Sequence, residues 1–132
     1  MKSIFKKGDK KVYAKIIQPE DQAAFQGALL HSVYSTFALA RDFEWSSRLF
    51  FIELKDLDEE GVGTMLHIDH KSPAFVGEEV VISATVEKIE GMELICYVEA
   101  RVKDRLIASG KTGQKMLKKD RLTAIFTKPL ER

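Results

Sequence analysis

One segment constrains the fold more than any other: a long stretch that favours helix and is apolar on several sides. From Ser35 to Lys55 there is no glycine or proline, and Ser35 or Thr36 can serve as the N-cap. Apolar residues recur near helical spacing at Leu39, Phe43, Phe50 and Leu54. Further apolar residues widen the apolar surface of the helix: Phe37, Trp45, Leu49, Phe51 and Ile52. A helix this apolar is expected to be buried rather than to lie on the surface.

The second half of the chain predicts strands, because apolar and polar residues alternate with a period of two. Short turns such as Glu90-Gly91 and Lys103-Asp104 separate the segments and predict antiparallel neighbours. The predicted strands cover residues 62–70, 80–87, 94–102 and 106–117, after a short first strand at 12–17. The sequence therefore predicts an α+β fold in which a meander of four strands packs on a central helix.

Two segments are compatible with more than one structure. Residues 22–34 are ambiguous, since Ala23, Ala24 and Phe25 favour helix and Gly27 weakens it. The charged tail 118–132 is compatible with a docked short helix or with frayed ends. We expect one domain over residues 1–132, with its core at about 10–117.

Composition narrows the classes of partner. The formal net charge is +1, which argues against nucleic acid as the main partner, and no apolar run has the length of a membrane span. The single cysteine, Cys96, falls on an apolar strand face and predicts a buried, unreactive thiol in a reducing, cytoplasmic compartment. His67, Asp69 and His70 are rich in ligand atoms, but alternation divides them between faces, so no metal site is expected.

Three residues could carry chemistry. His70 shares its alternation with Val62, Thr64, Leu66 and Ile68, whereas Gly63 and Met65 fall on the other face. His70 should therefore point toward the helix and could act as acid, base or hydrogen-bond donor. Glu44 lies in the most apolar helix and could serve as nucleophile or general base; alternatively it forms a surface ion pair with Arg41 or Arg48. Thr36 lies at the helix N-terminus, where it could cap the helix or stabilise an oxyanion.

Together these residues resemble the fluoroacetyl-CoA thioesterase-like family of hotdog-fold proteins. In that family a threonine at the start of the central helix is followed by a glutamate eight residues later and a histidine 26 residues after that, which here are Thr36, Glu44 and His70. Glu44-Trp45, Gly63-Thr64 and Gly77 also match their family context. The resemblance covers residues 10–117 and implies a hotdog fold with the sheet wrapped around the helix.

The resemblance further implies a homodimer with two composite sites. The protein would hydrolyse the thioester between a small acyl group and coenzyme A. The coenzyme A thioester is the substrate, and no cofactor is expected. Gly63 and Thr64 would contact substrate. The apolar residues Leu30 and Tyr34, with Phe25 and Leu29, suggest a lid suited to a small or branched acyl chain.

The chain departs from the family at Gly110-Lys111-Thr112-Gly113-Gln114, where relatives carry His-x-Arg, and residues 22–34 have no close match. Specificity for fluoroacetyl therefore does not carry over. Two other hypotheses remain: a non-catalytic module that binds acyl-CoA or acyl-lipid, and a hotdog hydratase or dehydratase. The complete triad favours hydrolysis. The sequence identifies neither the acyl group nor whether Glu44 is nucleophile or base.

Overall fold

The computed structural model describes residues 1–127, so the last five residues of the predicted tail lie outside the described part. The elements in chain order are β1 (Lys10–Ile16), a 3-10 turn (Pro19–Asp21), β2 (Gln22–Phe25), β3 (Ala28–Tyr34), α1 (Thr36–Leu54), β4 (Glu59–His70), β5 (Glu79–Glu90), β6 (Glu93–Val102), β7 (Arg105–Lys118) and α2 (Lys119–Phe126). Strands β1, β5, β6, β7 and β4 form one antiparallel sheet in that order.

The sheet confirms the predicted α+β class and corrects one connection. Strands β5, β6 and β7 are consecutive neighbours, as the short turns predict. The predicted meander of four strands is wrong, because β4 pairs with β7 at the sheet edge rather than with β5. The eight residues that follow β4, which include Pro73, are long enough to carry the chain across the end of the sheet, so adjacency in sequence does not impose pairing here.

Helix α1 lies on one face of the sheet, and one side of it forms the core. Leu39, Phe43, Phe50 and Phe51 are fully buried and belong to one core cluster with the inward residues of β5 and β6. The expectation of burial on several sides is wrong for Phe37, Trp45 and Ile52, which are 81%, 41% and 45% exposed. In a single chain an apolar stripe of the helix is therefore uncovered.

Residues 22–34, which the sequence left ambiguous, form a β-hairpin. Gln26 and Gly27 both have positive φ, at 53° and 80°, as a two-residue turn with the twist of a hairpin requires. Glycine adopts this conformation without steric cost, which is why Gly27 favours a turn over a helix. The hairpin exposes Phe25, Leu29 and Leu30.

A bulge in β4 decides which residues face the helix. The pairing with β7 shifts between Gly63 and Met65, so Thr64 is the extra residue. Leu66, Ile68 and His70 lie opposite inward residues of β7, as predicted, but Gly63 also faces inward, opposite Gln114. The predicted inward orientation of Val62 and Thr64 is therefore wrong.

The tail that the sequence left undecided begins as helix α2, and Leu122 is its buried residue. Neither α1 nor α2 is both long and apolar enough to span a bilayer.

Candidate active site

Thr36 and His70 meet where helix α1 begins and strand β4 ends. Ser35 is the N-cap, since its hydroxyl accepts a hydrogen bond from the Ala38 amide at 2.9 Å. The Thr36 hydroxyl is therefore free of the capping task, and its Oγ1 lies 2.9 Å from His70 Nδ1. The two residues that the sequence proposed 34 positions apart are thus hydrogen-bonded at the positive end of the helix dipole.

The other imidazole nitrogen of His70 has no partner. Nε2 is buried and is the one buried side-chain nitrogen or oxygen in residues 1–127 without a hydrogen bond. Burial lowers the pKa of His70 below its ordinary value, and the backbone at Ser72 opposes that shift. A neutral imidazole with an unsatisfied buried nitrogen is suited to exchange a proton with a bound molecule.

Glu44 projects from the middle of the helix toward β4. Its Oε1 is 3.3 Å from the position that a Cβ on Gly63 would occupy, so only glycine leaves this carboxylate its present space. Both residues line a cavity of about 250 Å³ together with Arg41, Trp45, Arg48 and Gln114. Glu44 is exposed in the single chain, so it faces the sheet without being buried by it.

The alternative in which Glu44 belongs to a surface ion pair is not supported. Arg41 bridges Asp21 at 2.7 Å and Asp42 at 3.1 Å. Arg48 pairs with Glu60 at 2.8 Å. Among residues 1–127 no side chain forms a salt bridge or hydrogen bond with the Glu44 carboxylate, which leaves it available to a ligand.

Within one chain the three predicted catalytic residues do not form one cluster. Thr36 and Glu44 are separated by about 12 Å along the helix, at 1.5 Å per residue. Gly63, which lies beside Glu44, and His70 are seven residues apart on β4, or roughly 20 Å. A single chain therefore presents a Thr36–His70 pair and a separate Glu44–Gly63 pair.

The other predicted substrate contacts lie in different surroundings. Thr64 is exposed at the bulge beside Gly63, and Leu30 is 59% exposed on the hairpin. Tyr34 is fully buried, and its hydroxyl donates a hydrogen bond to Asp42. Burial and Asp42 raise the pKa of this phenol. Tyr34 therefore belongs to the core and not to an exposed lid.

Sequence reasoning missed the polar residues that support the site. Asp21 and Asp42 are buried and share Lys15 and Arg41, which ties the base of the hairpin to helix α1. Helical spacing alone does not reveal them, because their partners are distant in sequence. Gln114 could have been found, since it shares the inward alternation of Thr112 and Met116 on β7.

Two further expectations concern the cysteine and a metal site. Cys96 is buried, and burial raises the pKa of its thiol to about 12, which fits the predicted unreactive cysteine. In the part of the chain that is described, no three His, Cys, Asp or Glu side chains are grouped to hold a metal ion.

Comparison with known proteins identifies the fold and the family. The model of the family described as fluoroacetyl-CoA-specific thioesterase matches residues 17–120. No curated protein matches the sequence significantly. A hypothetical protein of Thermus thermophilus, described as a thioesterase superfamily member, is 29% identical with a TM-score of 0.88, over 92% of this chain and 90% of that one.

Two further solved structures share the fold at lower identity. The fluoroacetyl-CoA thioesterase FlK is 18% identical with a TM-score of 0.87, over 96% of this chain and 99% of that chain. A hot-dog-like protein from Thermanaerovibrio acidaminovorans is 19% identical with a TM-score of 0.85, over 92% of this chain and 90% of that one. Variants of FlK have been solved with fluoroacetate and CoA, and with acetyl-CoA.

The predicted hotdog fold and the family resemblance are therefore confirmed. Since the family model matches most of the residues, the chain belongs to the fluoroacetyl-CoA-specific thioesterase family and is a thioester hydrolase of the hotdog fold.

Proposed function

We propose that this protein hydrolyses the thioester of a small acyl-CoA, with Thr36, Glu44 and His70 as its working residues. The observation that carries the proposal is the Thr36–His70 hydrogen bond at the start of α1, beside a buried imidazole nitrogen without a partner. The CoA and acetyl-CoA bound by FlK variants support a CoA thioester as the substrate class. The proposed chemistry uses side chains and backbone groups alone.

The roles follow from the local chemistry. The first backbone N–H groups of a helix have no intrahelical partner, so the N-terminus of α1 and the Thr36 hydroxyl can stabilise the negative charge that develops on the thioester oxygen. Glu44 either removes a proton from an attacking water or attacks the carbonyl carbon itself. In the second case the C–S bond breaks to leave an acyl anhydride on Glu44, and a water then hydrolyses this anhydride and restores the carboxylate. His70 exchanges protons with the reacting groups as the C–S bond breaks, and the products are a carboxylic acid and free CoA.

A second subunit is needed to complete this site. Strand β4 is a 12-residue edge strand with exposed Met65 and Leu66, a strand edge that pairing with another copy would cover. Antiparallel pairing about a two-fold axis at His67, with Thr64 as the extra residue of the bulge, would set Gly63 opposite His70 of the partner subunit. The bulge at Thr64 supports this register, because it puts Gly63 and His70 on the same face of the sheet.

Each composite site would then combine the Glu44–Gly63 pair of one subunit with the Thr36–His70 pair of the other. Thr64 lies beside this junction, and the exposed Leu30, with Phe25 and Leu29, offers an apolar surface for the acyl group. A cytoplasmic location belongs to the same proposal and rests on the single buried cysteine.

The direct test is a steady-state assay of the purified protein against a panel of acyl-CoAs, with Glu44→Ala alongside. Turnover of at least one short acyl-CoA and its loss in the variant are expected. If Glu44→Ala hydrolyses acyl-CoAs as fast as the wild type, the catalytic assignment fails, and binding of an acyl-CoA without turnover would favour the module that only binds.

A further inference from the structure

Gln114 occupies an unusual place for an uncharged polar side chain. It lies on β7 among inward residues, is 5% exposed, and is directly opposite Gly63 in the β4–β7 ladder. It also lines the cavity of about 250 Å³ that contains Glu44 and Gly63. A buried amide in this position must find hydrogen-bond partners or destabilise the fold.

The hydrogen-bond partners of Gln114 are on helix α1, at Glu44 and at Ser47. Gln114 Nε2 donates to Ser47 Oγ at 2.8 Å and reaches the backbone oxygen of Glu44 at 3.3 Å. The Ser47 hydroxyl, in turn, donates to the same Glu44 backbone oxygen at 3.1 Å. Two side chains from different elements therefore converge on one carbonyl group, and the Gln114–Ser47 bond spans 67 positions of sequence.

The same strand pair also limits the Glu44 side chain. Gly63, opposite Gln114, leaves only 3.3 Å between Glu44 Oε1 and the place of a Cβ. Gln114 on β7 thus holds the backbone of Glu44, and the neighbouring strand β4 lies under the Glu44 carboxylate at Gly63. No other described polar group fixes the carboxylate, so its position depends on where this turn of the helix is held.

We propose that Gln114, acting through Ser47 and the Glu44 backbone, is a positioning residue that sets the Glu44 carboxylate over Gly63. The inference rests on the proposed function, in which Glu44 takes part in the bond-making step. It predicts that Gln114 affects kcat rather than substrate binding, because a reacting group displaced by about 1 Å can lower the rate by about 100-fold.

The test compares the wild type with Gln114→Met, Ser47→Ala and the double variant, using the acyl-CoA that the wild type hydrolyses best. Methionine has a similar length but no amide, so the substitution removes both hydrogen bonds that Gln114 donates. We expect kcat to fall by about 10- to 100-fold in Gln114→Met with KM changed by less than about threefold. The double variant should be no worse than the poorer single variant, because the two residues act as one unit.

Thr112→Val is the matched control. Thr112 is also buried on the inward face of β7, two residues away, and does not line the cavity. Its kcat should stay at the wild-type value. If Gln114→Met does not fold, as judged by its thermal unfolding, Ser47→Ala carries the test alone with the same expected loss of kcat.

The outcomes separate this inference from the proposed function. A wild type without turnover, or an active Glu44→Ala variant, would overturn the proposed function first. If the wild type is active and Glu44→Ala inactive, then wild-type kcat in Gln114→Met and Ser47→Ala would overturn the role of Gln114. Fully additive losses in the double variant, or an equal loss in Thr112→Val, would also overturn it in favour of general destabilisation.

Discussion

Two neighbouring hydroxyls at the start of α1 have separate tasks. Ser35 caps the helix, and this leaves the Thr36 hydroxyl to the His70 imidazole. Thr36→Ala should therefore lower kcat/KM, but less than Glu44→Ala, because the backbone donors at the helix start remain. Thr36→Ser should retain most of the activity, since it keeps the hydroxyl.

Ser35→Ala is the control for this pair. It removes the cap, so it should lower the free energy of unfolding by about 1 kcal/mol while kcat stays near the wild-type value. Chemical denaturation and steady-state kinetics on Ser35→Ala, Thr36→Ala and Thr36→Ser measure both effects. Equal catalytic losses in Ser35→Ala and Thr36→Ala would indicate that Thr36 contributes only to the helix end.

His70 gives the site its expected pH dependence. Its pKa is lowered by burial, so the imidazole stays neutral at pH 7 and becomes protonated only at more acidic pH. If the neutral form is required, the acidic limb of kcat/KM should lie below the ordinary histidine value of about 6.5, with full activity above it. An NMR titration of the His70 ring, assigned with His70→Gln, should give a midpoint on the same side.

Removal of His70 measures its share of the rate. His70→Ala should reduce kcat by roughly 10²–10⁴, the usual size of a general acid–base contribution. A variant that keeps the wild-type rate, or an acidic limb well above 6.5 in the intact protein, would contradict this role.

At the scale of elements, two glycines on β4 face different side chains of helix α1. A Cβ at Gly61 would lie 2.2 Å from the Phe51 ring, whereas a Cβ at Gly63 would meet only the Glu44 carboxylate at 3.3 Å. Gly61→Ala should thus destabilise the fold by about 1–3 kcal/mol through overpacking. Gly63→Ala should leave the thermal unfolding temperature almost unchanged and reduce kcat by displacing Glu44.

These two variants are matched in chemistry and in strand, so they are measured together by calorimetry and kinetics. A loss of stability in Gly63→Ala equal to that of Gly61→Ala would mean that Gly63 serves packing rather than the position of the carboxylate.

The sequence predicts the regular elements because their signals are local. The alternation of β5 and β6 is confirmed at Val80, Ile82, Cys96 and Val98, which are all buried. The bulge at Thr64 breaks the alternation that a sequence pattern assumes, so the predicted faces of Val62 and Gly63 are exchanged. Edge pairing of β4 with β7 depends on tertiary contacts and has no local signal.

Some residues of the candidate site could likewise be recognised from the sequence, whereas others could not. The spacing of Thr36, Glu44 and His70 was visible in the sequence through its family resemblance. The Gln114–Ser47 bond and the cluster of Asp21 and Asp42 with Arg41 join residues from separate elements, so they follow from the fold alone.

For the whole molecule, the two edges of the sheet differ in how readily they could pair with a strand of another chain. Strand β1 carries Lys10, Lys11 and Lys15 at one edge, a pattern that discourages pairing with another strand. Strand β4 has no lysine and exposes Met65 and Leu66. We therefore expect a dimer that pairs through β4, and light scattering at micromolar concentration should give twice the mass of one chain. A monomer would contradict this assembly, and Met65→Lys should weaken it.

A heterodimer of two inactive subunits tests whether the sites are composite. Glu44→Ala and His70→Ala subunits, carrying different tags, are co-expressed and the mixed dimer is purified. If each site takes Glu44 from one subunit and His70 from its partner, one site of the mixed dimer lacks both residues and the other is intact, so kcat per dimer should recover to about half the wild-type value. If both residues belonged to one chain, every site would lack one of them and the mixed dimer would stay as inactive as its parents. The two parental homodimers and a mixed dimer of Glu44→Ala with wild type are the controls, and the latter should also retain about half of the activity because it too keeps one complete site.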